Sequence, residues 1–173
     1  MTRHMIWEVG ENQRDHDCSD LSAEQVADRL AAMLTDPTFF DGERCFSLGV
    51  RALDEEATSL AAESPEALAR GNYMQCLGDT EYARIEVRTT TPEGYKHVLL
   101  EPLPPHASPF HESGSRRGSW TKRTQPDPST AEFSPQQAAE IFRHYILTGQ
   151  VPAHCRQTLL EESKNRSRRF WRR

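Results

Sequence analysis

No apolar run in this sequence approaches the roughly 18 residues that a membrane-spanning helix needs, which speaks against a membrane protein. The N-terminus carries one arginine and no apolar stretch behind it, so it does not read as a secretory signal. There is no CxxC pair: Cys18, Cys45, Cys76 and Cys155 stand far apart. That pattern is expected of reduced, packed thiols in a cytoplasmic protein. Also missing are a GxSxG elbow, a phosphate-cradling glycine loop and an HExxH helix. Seven histidines are present, yet His106, His111 and the His154–Cys155 pair lack the ligand spacing of a structural zinc site. The motifs of catalysis, metal and cofactor binding are all absent, so the expectation is a non-enzymatic protein without cofactor.

What is present is one domain's worth of chain. Its 173 residues are 36% hydrophobic and 27% charged, and the formal net charge is −5. The mean hydropathy of −0.76 is low. Three Trp, seven Phe and four Tyr still suffice for a modest core. Charge is unevenly spread. Residues 1–100 carry 19 acidic and 9 basic side chains, whereas residues 101–173 carry 7 and 12, and six of those basic groups fall in the last ten positions. An acidic body repels nucleic acid and attracts basic partners, although a basic, aromatic-bearing tail can touch phosphates.

Two helices are strongly marked. Ser22 and Gln25 form a capping box, flanked by Leu21 and Val26 as a hydrophobic staple. The stripe Val26, Leu30, Met33, Leu34 follows, and Asp36-Pro37 ends it, predicting a helix over 23–35. Ser134, Pro135 and Gln137 open a second helix with apolar face Ala138, Ile141, Phe142, Tyr145 and Ile146, closed by Gly149. Between them, alternation predicts strands over 45–53, 73–77, 82–90 and 95–100, the last three as a meander with turns at Gly78-Asp79 and 91–94. A short helix after Pro65 is plausible. Residues 101–130, rich in proline, read as a long loop with a short edge strand around Trp120. The expected fold is α+β: an antiparallel sheet of four to six strands with both helices on one face. The domain spans 1–158, and 159–173 is a basic tail.

The segment from Phe133 to Pro152, with its Thr148-Gly149 to Pro152 exit, resembles the closing segment of a bacterial immunity-protein family, the first-numbered of those that guard against polymorphic toxins. Ser22–Leu34 with Asp36-Pro37 is similar to that family's opening helix. The resemblance spans about residues 20–155. It implies a stoichiometric inhibitor that occludes a cognate secreted toxin, of the nucleic-acid-active kind such as a deaminase or nuclease. The partner would then present a basic cleft, to which an acidic inhibitor is complementary. The alternatives are an effector chaperone or adaptor, and a nucleic-acid-associated regulator using the tail; nucleic acid is the less favoured partner.

The partner-binding surface is expected on the sheet's open side and the long loop. On strand 82–90, Tyr82, Arg84, Glu86 and Arg88 face away from the helices. The loop brings Phe110, His111, Glu112 and Trp120 as anchors. Acidic groups in Asp41–Glu43, at Asp54, Glu55 and Glu56, and at Asp79 and Glu81 supply complementary charge.

Overall fold

A computed structural model describes residues 3–53, 71–91, 93–103 and 132–164. The expected helix after Pro65, Asp54, Glu55 and Glu56, the anchors Phe110, His111, Glu112 and Trp120, and the tail beyond 164 lie outside the described residues.

The fold is α+β. One antiparallel sheet has seven strands in the order β2-β1-β3-β4-β5-β6-β7. They are β1 (Arg3–Gly10), β2 (Gln13–Asp17), β3 (Cys45–Leu53), β4 (Tyr73–Gly78), β5 (Ala83–Thr91), β6 (Gly94–Pro102) and β7 (Cys155–Lys164). The helices are α1 (Ala23–Thr35) and α2 (Pro135–Thr148). The strand count exceeds the expected four to six. β1, β2 and β7 carry no clean apolar alternation. Buried His4 and Glu8 interrupt β1, and β2 and β7 are polar. Two further expectations change. Glu101 and Pro102 end β6 and do not open a loop, and residues 159–164 are strand, so a tail cannot start at 159.

Both helix starts follow from local chemistry. Ser22 Oγ accepts the Gln25 N–H at 3.2 Å while the Gln25 side chain accepts the Ser22 N–H at 2.9 Å. Ser134 and Gln137 repeat the box with the same distances. Gly149, at φ 70°, closes α2 by donating its N–H to the Tyr145 carbonyl at 2.8 Å.

The register decides which side chains share a face. Ile6 stands opposite Val50, Val50 opposite Met74, Met74 opposite Val87, and Val87 opposite Val98. This row, with Leu48, Cys76, Ile85 and Leu100, packs against Val26, Leu30 and Leu34 of α1 and Ala138, Ile141 and Phe142 of α2. Met33 and Tyr145 sit at the margin of the same core. Arg143 and Asp28 form an ion pair that ties the two helices together outside it. All four cysteines are free and buried. Burial pushes the Cys45 and Cys155 thiols up to about 11 and the Cys76 thiol higher still. Burial raises the Cys18 thiol as well, so all four are shifted toward the protonated form.

Candidate partner-binding surface

Two turns meet at one end of the sheet. Before β3, Asp41 Oδ1 accepts the backbone N–H groups of Glu43 at 2.9 Å and Arg44 at 2.7 Å. Between β4 and β5, Asp79 Oδ1 accepts those of Glu81 at 2.7 Å and Tyr82 at 3.3 Å. Aspartates that bond to the backbone two or three residues on hold a turn in one shape. The turns abut: a Cβ added to Gly42 would come within 2.9 Å of the Asp79 Cβ. Asp41, Glu43, Asp79 and Glu81 are therefore gathered on a rigid rim, with Glu43 and Glu81 exposed.

Tyr82 registers this field. Its phenol is pushed up to about 12, first by burial and then by the negative charges of Asp79, Glu132 and Glu81. For Asp41, burial opposes ionisation, but the N–H groups of Glu43 and Arg44 and further bonds outweigh it and hold the carboxyl below its ordinary value. Asp41 thus stays ionised at neutral pH. Leu103 and Glu132, the described residues on either side of 104–131, lie at this same end: Leu103 N–H donates to the His154 carbonyl, and Phe133 bridges to Ala83.

From the rim, β5 carries Arg84, Glu86 and Arg88 onto the face away from the helices, beside Tyr82. Neighbouring strands fill in around them. Arg51 stands opposite Tyr73, Tyr73 opposite Arg88, Arg88 opposite His97, and His97 opposite Glu161. One row toward the rim lie Trp7, Gly49, Gln75 and Glu86. Gly49 is required by this packing. Its missing Cβ would sit 2.1 Å from Cζ2 of Trp7, so the indole lies flat across β3. Trp7 meets Tyr73 edge-on at 5.8 Å, and Tyr73 meets His97 at 6.0 Å. The Arg88 guanidinium lies 3.9 Å from the centroid of the Tyr95 ring. The Tyr95 hydroxyl donates to Glu161 Oε1 at 2.5 Å.

Glu86 is the electrostatic centre of the face. Gln75 Nε2 donates to its Oε2 at 3.2 Å. His97 Nε2 and Arg84 Nε approach it to 3.2 and 3.5 Å, yet neither is aligned for a hydrogen bond. The face sets Glu86 and Glu161 among Arg51, Arg84 and Arg88, with Glu101 held against Arg156 toward the β7 edge, so its charges are mixed. Of the expected acidic groups, the described Asp41, Glu43, Asp79 and Glu81 stand at the rim. Trp7, Tyr73, Gln75, Tyr95 and His97 escaped sequence reasoning. The signal available was a glycine in mid-strand, Gly49 of β3.

Among the described residues no group of three or more His, Cys, Asp and Glu is placed to hold a metal, and no helix is long and apolar enough to cross a membrane. No protein-family model, curated protein or solved structure matches this chain.

Proposed function

We propose that the chain is an immunity protein. It acts in the cytoplasm, where it binds and occludes a cognate secreted toxin domain by stoichiometric, non-catalytic inhibition. The toxin is of the nucleic-acid-active class, a deaminase or nuclease with a basic cleft. The reading rests on the resemblance of the two helices and on one observation: the rim of Asp41, Glu43, Asp79 and Glu81 around Tyr82. Carboxylates held in place before encounter steer a basic partner and speed association. Beside them, Tyr82 leads along β5 to Arg84 and Arg88, with Trp7, Tyr73 and Tyr95 on the same face. Tryptophan, tyrosine and arginine are the residue types that most often dominate binding energy.

The test is to ask whether a toxin domain is encoded beside this chain and to co-express the two. Growth rescue, an equimolar complex and loss of toxin activity are expected. Glu43→Lys with Glu81→Lys should weaken the complex by about 2 kcal/mol or more while the melting temperature stays put. A complex in which the toxin stays fully active assigns the chain to the chaperone class instead. Unchanged affinity in the double variant removes the rim from the interface.

A further inference from the structure

Among the described residues the sheet has two open edges, and only one is blunted. β2 has five residues, Gln13–Asp17, with charged Arg14, Asp15 and Asp17 and no large apolar side chain. β7 is ten residues long, and its inner side pairs with β6 at every residue but Leu160. Among the described residues no strand lies along its outer side. In its middle stand Leu159, 56% exposed, and Leu160, 42% exposed. A long edge strand with apolar side chains is a template for another strand.

We propose that β7 pairs antiparallel with β7 of a second copy of this chain, joining two seven-stranded sheets across a two-fold axis between Leu159 and Leu160. Two observations on the strand itself point to this occupant. First, its charge order is self-complementary: Arg156 lies before the two leucines, and Glu161 and Glu162 after them. Antiparallel pairing brings the basic start of one copy alongside the acidic end of the other.

Second, the bulge sets the register. Val98 stands opposite Leu159 and His97 opposite Glu161, which leaves Leu160 as the extra residue. Arg156 and Thr158 therefore share the open face with Glu161 and Ser163, whereas Gln157 shares the helix-side face with Glu162. A two-fold between Leu159 and Leu160 sets Thr158 against the second copy's Glu161, Gln157 against its Glu162 and Arg156 against its Ser163. Every pair then lies on a common face, and Arg156 is diagonal to the other Glu161, within reach of a long side chain. A slip by one residue would set side chains from opposite faces against each other. Bulges ordinarily spoil an edge, but here both bulges fall at the axis and leave a regular ladder on either side. Arg156 is already held by Glu101, whose Oε2 lies 2.6 Å from its Nε, so its guanidinium is oriented before pairing.

This inference stands apart from the toxin reading, and its test needs no toxin. Sedimentation velocity of the full chain from micromolar to millimolar concentration should show a concentration-dependent dimer. Leu159→Lys with Leu160→Lys should weaken it by about a hundredfold or more, since two exposed apolar side chains per copy are replaced by like charges. Register is read separately by oxidation of Thr158→Cys with Glu161→Cys, which should give a covalent dimer, whereas Thr158→Cys with Ser163→Cys should not. A wild-type chain that stays monomeric throughout, a dimer indifferent to the lysines, or the reverse crosslinking pattern overturns the proposal.

Discussion

The two faces of the one sheet differ in how they are completed. The helix-side face is apolar from Ile6 to Leu100, and α1 and α2 cover it. The open face, built by the alternate residues of the same strands, holds arginines, glutamates, a histidine and aromatic rings. Its side chains are nevertheless mostly half-buried or buried, because they cover one another: Trp7 lies over Gly49, and Arg88 over Tyr95. A covered face derives its stability from apolar area and close packing. A face on which Nε of Arg84 and of Arg88 and Nε2 of His97 are buried without a hydrogen-bond partner offers polar groups that a binding partner can satisfy. Strand alternation thus separates stability from recognition by one residue step.

That separation can be broken from the covered side first. Phe142 is fully buried between α2 and the sheet. Phe142→Ala should cost about 3–5 kcal/mol in urea unfolding, the range for emptying an aromatic site in a core. A cost near zero would mean that the helices do not close this face as described.

The open face should respond less and show its change by another signal. Gly49→Val drives a side chain into the Trp7 ring, and overpacking of that kind costs about 1–3 kcal/mol. Because the indole must lift off β3, tryptophan emission should shift to the red even where the chain remains folded. Unchanged emission and stability would show that Trp7 does not lie across Gly49.

The smallest effect sharpens the comparison at a polar group on the covered side. His4 sits opposite Ala52 on the helix-side face and is 5% exposed. Burial lowers its pKa below the ordinary 6.5. The unfolded chain then takes up a proton more readily than the folded one. The stability is full above pH 6.5 and falls as the pH drops toward the folded value. Folding free energies measured between pH 7.5 and 5 should slope less in His4→Gln than in the wild type. Equal slopes would show that His4 charges as easily folded as unfolded.

Much of this architecture was legible because its signals are local. A serine three residues before a glutamine sets a helix start by bonds within one turn, which is why Ser22 and Ser134 could be read directly. The meander was readable because the three strands are joined by turns, and Ala83, Ile85 and Val87 keep a strict alternation. Asp41, Asp79 and Glu81 could be singled out as acidic groups, and Gly78-Asp79 as a turn, but nothing in the chain order shows that the segments around Asp41 and Asp79 touch.

The sequence by itself determined the two helices, the four central strands, and the side of β5 on which Arg84, Glu86 and Arg88 stand. Each of these depends on neighbours within a few residues and on a periodicity that survives in isolation. Only the tertiary structure decided that Arg3–Gly10, Gln13–Asp17 and Cys155–Lys164 are strands. His4 and Glu8 are tolerated in β1 because strands on both sides satisfy its backbone, and polar β7 is extended because β6 offers it a ladder of hydrogen bonds. The open face belongs to the same class. Trp7, Gly49, Tyr73, Arg88 and His97 are far apart along the chain, and long-range register alone makes them neighbours.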